Sequence, residues 1–367
     1  MHRFAFVIHP IDVKRDAARR YPFAKLLPER WVEQLLRRKE PMVISRITGV
    51  RSHTGAETEG WFIGCPLSPR MMLTLPLETV YDKIVRCGQI AQELGADILG
   101  LGAFTSVVGD GGVTVANRLK IAVTTGNSYT VATALEAAML GAQKMGCAIE
   151  NATVAVVGAT GSIGRTCAEA LAPHARTLLL LGRDLARLEP IAAQMRPLAR
   201  GSVRATDDLA RELPHADVIV TVTSAVDAII HPESLKSGAV VVDVARPRDV
   251  SARVARERDD VLVIEGGLVE VPGAVDFGFN FGLPPRIAFA CMAETMMLAL
   301  EGRIEHFTLG KEVSLQQVQT TQALARKHGF RLAGFRSFER ALTDAEIEAI
   351  RARCLPTPDA PPAIPTS

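Results

Sequence analysis

The chain has 367 residues, of which 48% are hydrophobic and 22% charged, with a formal net charge of +2. That length and apolar content point to two or three domains with deep cores, and exclude a disordered chain or a small disulfide-stapled fold. No apolar run reaches the length of a membrane span, and the six cysteines lack metal-like or paired spacing, so a reducing, cytoplasmic setting without bound metal is expected.

The start, MHRFAFVIHP, has neither a long apolar run nor a small-residue cleavage site, so no secretory leader is expected there. Phe4 to His9 reads as a first strand ended by Pro10, Trp31 to Arg38 as a short amphipathic helix, and Val43 to Val50 as a strand. Residues 1 to 51 hold 12 Lys/Arg against 5 Asp/Glu, whereas the remainder holds 30 against 35. A basic N-terminal face suits an acidic partner, or simply solvent. Nucleic acid is not expected, because Glu and Pro dilute the cations and no aromatic platform is interleaved. Leu77 to Leu94 has helical spacing with Gly95 as its cap. Asp97 to Leu101 and Ile121 to Val123 read as strands, separated by the glycine-rich loop Gly102 to Gly112. After the polar turn Thr124 to Asn127, Ser128 to Lys144 forms a long Ala-rich helix closed by Gly146. Strands alternating with helices give residues 1–147 as an α/β N-terminal substrate domain.

The rest of the chain is organised around Thr153 to Gly164. Thr153 to Val157 is a β-branched apolar run, read as a strand buried on both faces. It enters GATGSIG, Gly158 to Gly164, and a helix follows. Gly158 allows the tight turn, Gly161 lets backbone amides approach a pyrophosphate, and Gly164 lets helix and strand pack closely. Thr160, Ser162 and Ile163 complete the turn, at a helix N-terminus that favours phosphate. The second strand, Arg176 to Leu181, ends in Gly182 and Arg183, with Arg187 one turn on. An acidic residue there would hold the ribose hydroxyl of NAD; a guanidinium suits a 2′-phosphate, so the cofactor reads as NADPH. Val218 to Val222, Ala239 to Val244 and Val261 to Ile264 read as further strands. Their carboxyl ends bring Thr223, Ser224, Asp243, Gly266 and Gly267 to the border of the nicotinamide half. The fold class is therefore α/β: a mostly parallel, doubly wound Rossmann domain over 148–282, with C-terminal helices over 283–354.

Val271 to Pro285 reads as a loop rich in Gly, Pro and Phe, followed by a helix from Pro284 to Leu300 that stops at Gly302. Ser314 to Lys327, capped at Gly329, and Asp344 to Arg353, with Thr343 as N-cap, read as helices. Residues 355–367 read as a disordered tail rich in Pro and Ala. Tyr21 and Lys25 imitate a tyrosine–lysine catalytic pair, but they precede the cofactor domain and Pro22 lies between them. Cys87, Cys147 and Cys167 read as buried small side chains, Cys354 as terminal, and Cys65 as an exposed loop thiol without a base. Cys291 sits on the helix after the last Rossmann strand, near the nicotinamide end of the cleft. Position alone leaves it either a catalytic thiol or a packed one.

The segments LGAFTSVV, TTGNSYT, ATVAVVGATGSIG, FACMAE, FTLGKEVSL and KHGF keep their order over Leu101 to Phe330. In them the chain resembles the long-chain fatty acyl-[acyl-carrier-protein] reductases of the cyanobacterial alkane pathway; the first fifty residues and the proline-rich tail match poorly. The resemblance implies NADPH-dependent reduction of an acyl thioester to a fatty aldehyde, through an acyl-cysteine on Cys291. It also implies an acyl-carrier protein or acyl-CoA as donor, and an aldehyde-deformylating oxygenase as a further partner. For such chemistry Thr125 and Asn127 are candidate oxyanion donors, and Glu294 would raise the thiol pKa if charged or donate a proton if neutral. Glu294 reads equally well as an exposed helix residue. A helix starting at Pro284 puts Cys291 nearly two turns in, where the dipole has faded, so thiol activation lacks a cause. The helices Ser128 to Lys144 and Pro284 to Leu300 could wall an acyl tunnel, or simply pack. Val241 to Val250 also looks like a segment of glutamyl-tRNA reductases, but their Ser-Thr-Cys-Asn context is absent. Such an enzyme, a shikimate-dehydrogenase-like oxidoreductase and a non-catalytic NADPH sensor are the alternatives.

Overall fold

The computed structural model describes residues 1–354, so the tail read as disordered lies outside the described residues. Two six-stranded sheets carry the architecture. The second has strands 153–157, 177–181, 202–206, 218–221, 240–243 and 262–265, all parallel to their neighbours. In sequence their spatial order is third, second, first, fourth, fifth, sixth, the doubly wound order that opens a crevice where it reverses. Val154 to Val157, Leu178 to Leu181 and Val240 to Val242 are all buried, as unbroken apolar runs demand of strands covered on both faces.

The first sheet is built on Arg3–Ile8, flanked in parallel by Glu57–Gly64 and Ile98–Gly100. Ala122–Thr124 extends one side, and the long strand Met42–Arg51 pairs antiparallel on the other. The sixth strand is Gly273–Asp276, which pairs with Met42–Arg51. This corrects the reading of Val271 to Pro285 as loop. Gly49 makes the pairing feasible: its φ is +76°, and a Cβ there would lie 2.2 Å from Ala274 O.

The helix Asn127–Lys144 leaves the first sheet and lies on the second, where a Cβ at Gly141 would meet Ile264 and Val240 at 2.8 Å. The expected helix from Pro284 is also corrected. Arg286 has φ +65°, which interrupts any helix, and Ile287–Phe289 forms a short strand against Leu268–Glu270. The helix proper is Ala290–Glu301, ended by Gly302 in the left-handed conformation. The Thr343 cap holds as read, and Leu315–His328 opens on Ser314 with a capping box.

Candidate active site

The corrected helix start changes the chemistry available to Cys291. It is the second residue of Ala290–Glu301, not one nearly two turns in. The first amides of a helix have no partner within it and carry the positive end of the dipole, the setting that lowers a thiol pKa. Opposing effects meet at Cys291. Burial pushes the thiol up to about 12; the amides of Met292 and Cys291 and the Arg246 guanidinium pull it down, and Glu294 adds a smaller upward push.

Small residues let this helix end approach the first sheet. A Cβ at Gly126, whose φ is +74°, would lie 2.2 Å from Cys291 Cα. One at Gly102 would lie 3.5 Å from Cys291 Sγ, and one at Gly100 would strike Thr295 Oγ1 at 2.1 Å. Nothing in the local sequence pairs these glycines with position 291; only the fold does. His9 was likewise not legible as a site residue. Its Nε2 accepts from Phe104 N–H at 3.2 Å, which leaves the proton on Nδ1, near Pro10 O. Burial pushes His9 down to about 4, so at neutral pH it is an uncharged clamp on the Gly102–Phe104 loop beside Cys291.

Two candidate residues are corrected. Glu294 is fully buried and accepts from Thr124 Oγ1, Ser128 Oγ, Thr308 Oγ1 and Tyr129 N–H at 2.5–2.9 Å. With four donors it has neither solvent nor a free lone pair for a substrate, so it ties three segments together and is neither an exposed residue nor a proton donor. Thr125 is also fully buried, and its hydroxyl donates to Thr308 O at 2.5 Å, so that proton is committed. Asn127 keeps its candidacy: it lines the cleft, and its amide makes only a long contact of 3.5 Å, to Ser162 Oγ. Cys65, read as exposed, is buried.

One cleft of about 1110 Å³ runs between the two sheets, and Cys291, Thr125, Asn127, Thr160, Gly161, Ser162, Ile163, Arg183, Arg187, Thr223, Ser224 and Gly266 all line it. Gly158 and Gly164 lie beneath. A Cβ at Gly164 would sit 2.3 Å from Gly158 O, and one at Gly158 would sit 2.6 Å from Val222 O. At Gly161 the only close atom is Gly158 O at 3.3 Å, which leaves the cleft side open to a phosphate. The helix Ser162–Leu171 has no side-chain cap, so its first amides are free for an anion. Arg183 and Arg187 are exposed at the rim. Thr223 is less free than its position suggests, because its N–H and hydroxyl both go to the buried Asp249, at 2.9 and 2.5 Å. Asp243, pushed up to about 6 by burial, accepts from Ala245 and Val250 N–H and shapes the loop that carries Arg246. Arg246 lies 5.6 Å from the Phe289 ring centroid, directly before the Cys291 helix. Of the two helices expected to wall an acyl tunnel, Ser128 to Lys144 and Pro284 to Leu300, only Thr130, Phe289, Ala290, Cys291 and Met292 reach the cleft. Its apolar wall comes instead from Phe6, Ile8, Val13, Leu36, Met42, Ile44 and Phe281.

The profile of the shikimate/quinate 5-dehydrogenase family matches residues 139–265. The long-chain acyl-[acyl-carrier-protein] reductase of Synechococcus elongatus is 31% identical over 306 residues, covering 79% of this chain and 87% of that protein. The chain belongs to this family of Rossmann-type oxidoreductases. The aminotransferase PigE of a Serratia strain is 33% identical over 340 residues, or 89% of this chain, but the chain spans only 39% of that protein. Among solved structures, the 5-ketofructose reductase of a Gluconobacter strain is 13% identical with a TM-score of 0.37, covering 88% of this chain and 99% of that one.

Proposed function

We propose that the protein is an NADPH-dependent reductase that converts a long-chain fatty acyl thioester to a fatty aldehyde through an acyl-cysteine on Cys291. The observation that carries this reading is the thiol at the second position of a helix, in the same cleft as the glycine turn and the arginine pair. The free amides of Ser162, Ile163 and Gly164 would hold the pyrophosphate, and Arg183 with Arg187 the 2′-phosphate. NADPH supplies a hydride.

The chain's own part begins with deprotonation of Cys291, favoured by the helix amides and Arg246 and opposed by burial. The thiolate attacks the acyl carbonyl carbon, the bond to the donor sulfur breaks, and the donor thiol leaves with a proton. The new thioester stays electrophilic, and after hydride arrives at the acyl carbon the carbon–Cys291 bond breaks to release aldehyde. The amides at the helix start and Asn127 are the oxyanion donors within reach of this geometry. The acyl chain lies along the wall made by Phe6, Ile8, Leu36, Ile44 and Phe281. Arg15, Arg19 and Lys39, which line the N-terminal end of the cleft, suit an acidic carrier protein or the phosphates of coenzyme A.

Incubation with NADPH and a panel of acyl-carrier and acyl-CoA thioesters tests the reading. Long-chain aldehyde should form with the native chain, and none with Cys291→Ala, which should still bind NADPH. Aldehyde formation by Cys291→Ala would refute it.

A further inference from the structure

We propose that the outer face of residues 22–38 docks on an anionic lipid bilayer. This segment comprises the turn Pro22–Leu26 and the helix Glu29–Arg37. Four large apolar side chains there face solvent: Leu26 is 87% exposed, Phe23 56%, Trp31 55% and Leu35 47%. Trp31 and Leu35, four residues apart, share one helix face. Val32 and Leu36, about 100° round the helix from these two, are already used, Val32 in a small core with Val13, Ala17 and Ala24. The apolar residues outside are therefore surplus to packing.

Lys25, Arg30, Arg37 and Arg38 surround them, all exposed and without a carboxylate partner among the described residues. The acidic residues of the helix are turned away from the three arginines: Glu29 lines the cleft and, with Asp12, the small groove that holds Lys25, and Glu33 accepts from Ser68 Oγ at 2.8 Å. Unpaired cations ringing exposed Trp, Leu and Phe complement lipid phosphates above an acyl boundary. An acidic protein shares the charge but fits the size less well. A standard protein interface takes about 20–30 residues from each partner, more than two short helical turns provide, whereas a bilayer needs only a few inserted side chains. Glu29, Leu36 and Lys39 of the same stretch line the cleft, so a bound bilayer would lie beside its mouth. That use of the surface rests on the proposed function; the docking itself does not.

The test is co-sedimentation of the full chain with phosphatidylcholine vesicles, with and without phosphatidylglycerol. Needing neither cofactor nor turnover, it can fail while the reductase reading stands. The native chain should pellet with the anionic vesicles only, less so at high salt, with a blue shift of tryptophan emission. The triple variant R30E/R37E/R38E should lose about a hundredfold or more of its partition, at roughly 1 kcal/mol for each cation removed. The double variant W31A/L35A, which keeps the charges, should lose the blue shift and pellet more weakly. Failure of the native chain to pellet, or binding that both variants retain, would overturn the proposal. So would capture of an acidic carrier protein through the same arginines in a chain that ignores vesicles.

Discussion

At Cys291 two opposing influences set the chemistry. The helix start and Arg246 favour thiolate, and burial outweighs them, so the free protein holds a thiol pushed up to about 12. Only the thiolate reacts, and its fraction rises tenfold per pH unit below that value. Alkylation of Cys291 by iodoacetamide should therefore climb about tenfold per unit between roughly pH 7 and 9 without levelling; a plateau in that range would show an acidic, already ionised thiol. Arg183 makes a separate prediction. A hydrogen bond to a charged group contributes about 1.5–3 kcal/mol, so Arg183→Ala should weaken NADPH roughly 10- to 100-fold and leave NADH nearly unchanged, as measured by fluorescence titration. Both residues stand out in the sequence, Arg183 by its place after the second strand and Cys291 by its place after the last.

At the level of elements, the start of Ala290–Glu301 is the informative case. Two adjacent prolines suit a first turn, so Pro284 looked like its beginning. Arg286 in the left-handed region and the pairing of Ile287–Phe289 with Leu268–Glu270 move the start to Ala290. A partner strand seventeen or so residues away decides that boundary, and local propensity cannot report it. Glu294 is the same lesson in a side chain. From spacing it was an exposed group or an acid; its four donors come from segments up to 170 residues distant. Glu294→Ala would strand those donors, and should cost about 3–5 kcal/mol in denaturant unfolding. If Glu294 were instead a proton donor, Glu294→Gln would lower kcat with stability kept. Gly126→Ala should be worse than its size suggests, because a left-handed φ and a Cβ 2.2 Å from Cys291 Cα combine. Strain and overpacking together come to about 2–4 kcal/mol, and thiol alkylation should slow with the loss.

Across the whole molecule, five strands of the second sheet are legible because each is a short apolar run, whereas the edge strand Ser202–Thr206, with Val203 alone buried, carries no such run and is absent from the sequence reading. In the first sheet two strands escape the sequence reading: Glu57–Gly64, a polar and glycine-containing stretch after a loop, and Gly273–Asp276, four residues of which two are half-buried or exposed glycine and alanine without a pattern of their own. The cofactor side of the cleft follows from one contiguous motif. The thiol side is assembled from His9, Gly102, Gly126, Arg246 and Cys291, which no spacing relates. What unites them is the cleft between the sheets, where the proposed reaction carries an acyl group on one sulfur. The most direct measurement is intact mass and peptide mapping after incubation with a long-chain acyl thioester and no NADPH. A single acyl adduct should form on Cys291 and disappear, with release of aldehyde, when NADPH is added. An adduct on another cysteine, or aldehyde formation with no acyl-enzyme trapped, would contradict the proposed reaction.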